Sequence, residues 1–378
     1  MLKKLMVKNY KSLKDITVPL QSLTVLAGPN AAGKTNILDA LSFVSDLARG
    51  EDPLGSRGRD FRPLVWGGYP ANVCFTIEGT FQAEKDQEEP FLYSVEMRAD
   101  GSQLVIEKEA CLLARTQDVL LRRTGLKSWE VLRGGKQQAN GTLPNWSQSA
   151  FVPIGTDHKD KELTAIRSVL TDCVFYDFIP HAMKQWQRLN RETRLSASGD
   201  NIAALLHSIQ RAESPLYQDI LDRLRAAVPR VEFIETDLTE GENPLTYVQL
   251  REKGIPRPIK SFNISEGTYR ILGLILALFS PNPAGLVSIE GPETNVHPHL
   301  MLPVAENLIG ASETIQVIAT THSPLLLDQL PAKSLIIVES RDGATVCRPV
   351  KGMKGLKEAQ NILSLGEQYR SGMLGGVP

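Results

Sequence analysis

Residues 28–35 read GPNAAGKT and match the pattern GxxxxGK[ST], which constrains this chain more than any other feature of its sequence. In a loop of this kind, backbone N–H groups surround the phosphates of a nucleoside triphosphate, and the positive N-terminal end of the following helix adds to the attraction. The lysine, Lys34, then reaches the β- and γ-phosphates, and the hydroxyl of Thr35 binds Mg²⁺. The pattern therefore predicts a site for a nucleoside triphosphate and its magnesium ion.

The segments on either side of the loop have the structure that this chemistry requires. Residues 22–27 (SLTVLA) form an apolar, partly β-branched run that predicts a buried strand. Residues 36–47 have apolar side chains at helical spacing, so the loop is predicted to lie between a strand and a helix. A chance match in an ordinary turn is the alternative, and it does not account for this context.

Composition describes an ordinary globular protein and excludes several classes. The 378 residues are 42% hydrophobic and 22% charged, and the formal net charge of −1 gives no general preference for nucleic acid or anionic membranes. The four cysteines are scattered without a CxxC pair, which argues against a zinc site or a disulfide framework. No apolar stretch is long enough to cross a bilayer, and the N-terminus lacks a secretory signal. We expect a cytoplasmic protein with no membrane partner.

The order of predicted elements indicates an α/β fold. Strands are predicted before residue 28 and, as an antiparallel meander, between 73 and 123, followed by helices between about 161 and 228. Residues 136–160 are polar and poorly patterned. The last third alternates strands and helices, which is typical of a parallel, doubly wound sheet. We predict an N-terminal lobe (1–83), an inserted β-meander and helical subdomain (84–230) and a C-terminal lobe (231–378).

A second candidate for the site is the acid at the end of a predicted strand. Residues 285–290 read GLVSIE, and a buried strand ending in a carboxylate can hold Mg²⁺ opposite a phosphate loop. Glu290 has this position. The alternative is a surface carboxylate at a strand end, which the phosphate loop upstream makes less attractive.

Two more segments carry candidate polar groups. Ser265 and Gly267 precede an apolar helix, where backbone amides can meet an anion, although the need for an N-cap explains a serine equally well. His322 follows a predicted strand and could contact a γ-phosphate or the attacking water, but a lone histidine is more often structural. His297 is interpreted as a structural cap or brace.

Taken in order, these segments resemble the ABC-type ATPase heads of the SMC/RecF/OLD group. GPNAAGKT corresponds to the Walker A motif, ISEGT (264–268) to the signature, LVSIEGPE (286–293) to Walker B and THSP (321–324) to the H-loop. The opening residues 5–20 resemble the pair of strands that precedes Walker A in this family. Residues 175–180, 293–300 and 365–376 further resemble a compact bacterial branch of predicted AAA-family ATPases.

The resemblance implies a P-loop NTPase fold with an ABC-ATPase head-like core, an antiparallel β-subdomain and a helical insertion. It also implies that two copies form a homodimer around two ATP molecules, so that Ser265 and Gly267 touch the γ-phosphate bound by the opposite copy. His322 would sense that phosphate in cis, and Thr35 and Glu290 would hold Mg²⁺. The residues expected to bind the nucleotide in cis are Gly28, Pro29, Asn30, Ala31, Ala32, Gly33, Lys34, Thr35 and Asn36.

One position departs from the family pattern. Relatives usually carry a second acid after the first Walker B acid, and it activates the attacking water; this chain has Gly291 there. Glu293 or His322 could take over the role, or hydrolysis could be slow, so the catalytic residues predicted are Glu290, Glu293 and His322.

Three functions stay open at this stage. The leading prediction is an ATP-hydrolysing switch that drives a partner, either DNA, as in repair, or an effector such as a nuclease encoded in the same operon, as in phage defence. A non-catalytic, ATP-gated scaffold is the alternative favoured by Gly291. A small-molecule kinase is less attractive because such an enzyme needs neither the signature nor the histidine.

Overall fold

The structure is a computed structural model that describes residues 1–68, 71–84, 87–154, 160–212, 214–351, 353 and 362–376. These residues form three sheets and the helices that cover them. The helices are α1 (Lys34–Arg49), α2 (Lys161–Thr171), α3 (Pro180–Met183), α4 (Ile202–Arg211), α5 (Pro215–Ala227), α6 (Glu266–Phe279), α7 (Met301–Ala311), α8 (Pro324–Leu327) and α9 (Leu365–Arg370). No helix in these ranges has the length and apolar character needed to cross a membrane.

The central sheet has six strands in the order β10-β15-β16-β3-β17-β18. The first five run parallel and β18 is antiparallel to β17. The strands are β3 (Leu23–Ala27), β10 (Cys173–Tyr176), β15 (Leu286–Glu290), β16 (Gln316–Thr321), β17 (Leu335–Arg341) and β18 (Ala344–Pro349). The predicted α/β core is therefore confirmed, with β10 as an edge strand that the sequence did not separate from its helical surroundings.

Both faces of the central sheet are buried, as expected for parallel strands. All five residues of β3 are buried, and successive side chains point to opposite layers. Leu26 packs into the cluster that contains α1 and the antiparallel sheet, whereas Val25 and Ala27 pack into the cluster that contains α6 and α7. The near-continuous apolar character of α6 follows from this position, because ten of its residues are buried.

The antiparallel sheet has eight strands in the order β2-β1-β4-β5-β6-β7-β8-β9. One of them, β9, lies in the segment 136–160 that showed no pattern, so the sequence analysis missed it. The strands are β1 (Leu2–Tyr10), β2 (Leu13–Pro19), β4 (Val73–Glu84), β5 (Gln87–Asp100), β6 (Gln103–Leu113), β7 (Val119–Arg123), β8 (Ser128–Arg133) and β9 (Lys136–Thr142).

The third sheet pairs β11 (Gln187–Arg188), β12 (Val231–Leu238), β13 (Leu245–Glu252) and β14 (Ile259–Lys260) beside α4 and α5. The division at residues 83/84 and 230/231 stays a prediction. The sheets cross both divisions: β4 pairs with β5 in one sheet, and β10 pairs with β15 in another.

One buried amide joins the two large sheets. Gln316, at the start of β16, is 4% exposed, and its Oε1 accepts a hydrogen bond from Leu2 N at 2.9 Å. Its Nε2 donates to Leu2 O at 2.7 Å and to Gln21 O at 3.0 Å. The first residue of the antiparallel sheet is thereby fixed to the central sheet by a fully used side-chain amide.

We expect Gln316→Ala to lower the free energy of unfolding by about 2–3 kcal/mol, because it leaves the backbone N–H and C=O of Leu2 buried without partners. Urea denaturation measures the change. Gln138→Ala is the control, since Gln138 is exposed and makes one long contact to the Lys136 carbonyl. Equal stability of the two variants would show that the amide bridge contributes nothing.

Candidate nucleotide site

The predicted site residues meet at one edge of the central sheet because their strands are parallel and neighbouring. Glu290 pairs with Thr320, and Thr321 pairs with Ala27, so β15, β16 and β3 end at the same level. The phosphate loop follows β3, Glu290 ends β15, and His322 follows β16. In open parallel sheets, ligands bind outside this carboxyl edge.

The phosphate loop turns sharply into α1. Gly33 has φ of 101°, and a Cβ on it would lie 2.0 Å from Thr345 Oγ1, so only glycine fits there. Lys34 folds back and donates from Nζ to the carbonyls of Gly28 and Pro29, each at 2.8 Å. The ammonium group is therefore held at the mouth of the loop, where its donors can exchange carbonyls for phosphate oxygens.

Side chains from two β-hairpins, β1–β2 and β17–β18, form hydrogen bonds that support the phosphate loop. Thr345 Oγ1 donates to Ala32 O at 3.0 Å and contacts Ser12 Oγ at 2.7 Å. The Asn36 amide donates to the same Ser12 hydroxyl at 2.7 Å. Asn36, predicted to bind nucleotide, thus has a supporting contact within the chain. Ser12 and Thr345 were missed because neither belongs to a motif; only the folding of β1–β2 and β17–β18 brings them to the loop.

Walker A and Walker B are in direct contact. The Thr35 hydroxyl donates to Glu290 Oε1. A hydroxyl and a carboxylate side by side are oxygen ligands of the kind Mg²⁺ prefers, and Mg²⁺ commonly takes few protein ligands and completes its shell with water and phosphate. The donor set at Thr35 and Glu290 therefore fits a magnesium ion that accompanies a triphosphate.

The charges at this edge act on Lys34. Burial lowers the pKa of its ammonium group below the usual value, while the carboxylates of Glu290 and Glu293 act in the opposite direction. The hydrogen bond from Thr35 to Glu290 places one of these carboxylates directly beside the phosphate loop. A bound triphosphate would add negative charge beside Lys34 and favour its charged form.

The turn after Glu290 positions the second acid. Gly291 has φ of 54°, and its N–H donates to Thr320 O at 3.2 Å and to Thr320 Oγ1 at 3.1 Å. Glu293 is 8% exposed, and its Oε1 accepts from Thr321 Oγ1 at 2.7 Å and from the His322 N–H at 3.2 Å. Its Oε2 has no hydrogen-bond partner among the described residues.

His322 stands beside this acid and is open to solvent. Its Nδ1 lies 4.0 Å from Glu293 Oε1, and its side chain is 58% exposed. It lines a cavity of about 850 Å³ together with loop residues Pro29, Asn30, Ala31 and Ala32. The histidine is thus close enough to share a ligand with the phosphate loop.

The signature lies on a different part of the surface. Ser265 caps α6, where its Oγ accepts from Thr268 N at 3.1 Å, and it is exposed. A Cβ on Gly267 would lie 3.0 Å from Asn295 O, so this turn of the helix rests on the segment after Walker B. Within the described ranges, no hydrogen bond joins Ser265 or Gly267 to residues 28–36.

Arg270, which the sequence analysis missed, links α6 to the Walker B turn. It is buried, and its guanidinium donates to Phe178 O at 3.2 Å and, more weakly, to Gly291 O at 3.5 Å. Burial lowers its pKa, and the charges of Asp177, Glu293 and Glu266 oppose that effect. Its position on the inner face of an apolar helix was the signal that could have identified it.

Comparison with known proteins agrees with this geometry. Residues 151–328 match a family described as "AAA domain, putative AbiEii toxin, Type IV TA system", and residues 1–98 match one described as "AAA ATPase domain". The Old nuclease of Escherichia phage P2 is 23% identical over 372 residues, covering 90% of this chain; the chain spans only 60% of that protein's length.

Solved SMC heads share the fold. A head bound to the C-winged helix domain of ScpA has a TM-score of 0.59 at 16% identity, covering 92% of this chain and 98% of that one. A head with an extended coiled coil, in complex with the C-terminal domain of ScpA from Pyrococcus furiosus, also has a TM-score of 0.59, at 15% identity and with 95% and 99% coverage. The chain therefore resembles AAA ATPase domains in sequence over residues 1–98 and 151–328, and it shares the fold of SMC heads. The predicted ABC-ATPase head-like fold is thereby confirmed.

The backbone and its surroundings favour glycine at position 291. A Cβ there would lie 2.6 Å from Thr294 Oγ1, and φ is positive. We expect Gly291→Ala to lower the free energy of unfolding by about 1–3 kcal/mol, through the backbone strain and this contact. Adding Thr294→Ala to the Gly291→Ala protein should restore the part of the lost stability that comes from the close contact, but not the part that comes from backbone strain. A double-mutant cycle, measured by thermal unfolding, separates the two parts. A fully stable Gly291→Ala protein would contradict the geometry.

Proposed function

We propose that this chain is an ATP-dependent switch whose two copies close head to head around ATP·Mg²⁺. The observation that carries the proposal is the hydrogen bond from Thr35 to Glu290, which sets Walker A and Walker B in contact while Ser265 stays exposed. Each copy would thus offer a prepared phosphate and magnesium site and, elsewhere on its surface, a free helix N-terminus for the partner's nucleotide.

In the proposed site, Mg²⁺ neutralises phosphate charge and orients the triphosphate. Lys34 exchanges its two carbonyl partners for phosphate oxygens, and loop residues 28–33 donate from their backbone amides. Thr35 and Glu290 are the protein ligands of the ion. Ser265 and Gly267 of the second copy complete the contacts to the γ-phosphate.

We assign the role of general base to Glu293 in this proposal. Glu290 is already engaged by the Thr35 hydroxyl, whereas Glu293 has one oxygen fixed by Thr321 and His322 and one oxygen without a described partner. A carboxylate held in place at one oxygen can accept a proton at the other. His322, beside it, would contact the γ-phosphate.

The proposed consequence of hydrolysis is the release of the head dimer and of whatever it controls. The relative from phage P2 is a nuclease by name, and the match to a toxin-associated AAA domain points to a defence role. We propose that the switch acts in defence and governs a nuclease that acts on DNA. A purely ATP-gated scaffold is the second candidate, favoured by the absence of an acid at Gly291.

We expect wild-type protein to release phosphate from ATP, Lys34→Ala to lose binding and turnover, and Glu293→Gln to lose at least about a hundredfold in turnover while keeping nucleotide affinity. Phosphate release and binding of a fluorescent ATP analogue measure the two properties separately. A wild-type rate equal to that of Lys34→Ala, with tight binding retained, would support the scaffold instead.

We expect a non-hydrolysable ATP analogue with Mg²⁺ to convert monomers to dimers, and Ser265→Arg to prevent this because its bulk and charge occupy the helix N-terminus. Light scattering after size exclusion measures the mass. Ser102→Arg is a matched control, since Ser102 is exposed in the turn between β5 and β6. Dimers in both variants would argue against a trans role for the signature.

A further inference from the structure

The last described residues of the chain form a strap across the nucleotide site. The C-terminal strap, residues 364–376, consists of α9 and the turn that follows it. Tyr369, Arg370 and Gly376 of the strap line the same cavity of about 850 Å³ as loop residues 29–32 and His322. The phosphate loop therefore faces, across this cavity, a segment more than 300 positions away in sequence.

One end of the strap is attached next to the H-loop. The Gly366 N–H donates to Asp328 Oδ1 at 2.6 Å, and a Cβ on Gly366 would lie 2.2 Å from Pro324 O. Because Pro324 begins α8 two residues after His322, α9 rests directly on the helix that follows the histidine. Ser364 and Glu367 form a capping box that fixes the start of α9.

The other end is attached next to the phosphate loop. The Gly376 N–H donates to Glu339 Oε1 at 2.7 Å, and Glu339 lies on β17, the strand that pairs with β3. The same carboxylate binds the guanidinium groups of Arg348 at 2.8 Å and Arg341 at 2.9 Å. The strap thus connects the helix that follows His322 to β17, the neighbour of the strand that leads into the phosphate loop.

Arg370 is the one arginine of the strap, and its charge acts on Glu367 one turn earlier in α9. It is exposed, lies in the last turn of α9, and makes no hydrogen bond or ion pair with any described residue. By contrast, Arg341, which lines the same cavity, is already bound to Glu339. A guanidinium facing a phosphate loop has the donor geometry that pairs with phosphate oxygens.

We propose that Arg370 binds the terminal phosphate of the nucleotide in cis, so that the strap distinguishes the triphosphate from the diphosphate. The proposal rests on the proposed ATP site at residues 28–36. Lys34 and the backbone amides of the loop would hold the phosphates, and Arg370 would add its guanidinium from the strap, which lines the same cavity as His322 and loop residues 29–32. The strap is attached to α8 at one end and to β17 at the other. A phosphate contact that fixes Arg370 would therefore also restrict the motion of the whole strap.

The first test compares affinities. We expect Arg370→Ala to weaken binding of a fluorescent ATPγS analogue with Mg²⁺ about tenfold, as for one charge-assisted contact, and to leave ADP affinity within about twofold. Arg370→Lys should recover part of the loss. Arg257→Ala, at an exposed site between β13 and β14, is the matched control and should leave both affinities unchanged.

Equal weakening for ATPγS and ADP, or no weakening for either, would overturn the proposal for Arg370 and leave the ATP site standing. If the wild-type protein binds neither nucleotide, both proposals fail. Thermal unfolding of the variants tests for a folding defect, and we expect none because the Arg370 side chain is exposed.

The second test does not depend on affinity or turnover. We expect amide hydrogen exchange in residues 365–376 to slow at least about threefold with ATPγS relative to ADP, and the difference to disappear in Arg370→Ala. Exchange in the phosphate loop should slow with both nucleotides. Equal exchange of the strap in the two nucleotide states would overturn its role as a sensor.

Discussion

Parallel pairing of β3, β16 and β15 is the constraint on which the site depends. Each strand ends in a segment with its own chemistry, and the register brings Ala27, Thr321 and Glu290 to one edge. A shift of one residue would turn the inward side chains of a strand to the opposite layer, so the two buried faces hold the register firmly. The site is therefore fixed by the same apolar packing that stabilises the sheet, and polar contacts such as Thr35 to Glu290 only refine it.

The turn at Gly291 gives a physical reason why no acid stands at the position where the family resemblance implies one. A side chain at 291 would combine positive φ with a contact to Thr294, so an acid there would disturb the turn that carries Glu293. Because Thr321 and the His322 amide fix Glu293, the chain keeps a carboxylate beside the phosphate loop without one at 291. Replacing Gly291 by Glu is consequently a poor way to test for lost catalysis, since it alters the backbone along with the chemistry.

The sequence predicted the parts of the structure in which one local pattern determines the outcome. The helix at Glu266–Phe279 and the strand at Leu286–Glu290 followed from strong apolar runs with clear ends. The strand β9 did not, because all seven residues of KQQANGT are polar or small and exposed or half-buried, so they show no apolar alternation. Ser12, Thr345 and Arg370 were missed for another reason: each reaches the site through chain segments far apart in sequence, and no spacing rule encodes such contacts.

The contacts around α6 connect the proposed phosphate and magnesium site to the signature at the N-terminus of α6. Gly267 rests on Asn295, the Asn295 amide donates to Glu266 at 3.1 Å, and Arg270 reaches the carbonyl of Gly291. The N-terminus of α6 is therefore attached to the segment that also holds Glu290 and Glu293. A change in what Glu290 binds can move Ser265 only through this packed connection, because the signature has no described bond to the phosphate loop itself. In the proposed dimer, the Walker B turn would therefore be the place where the phosphate state of the nucleotide acts on the N-terminus of α6.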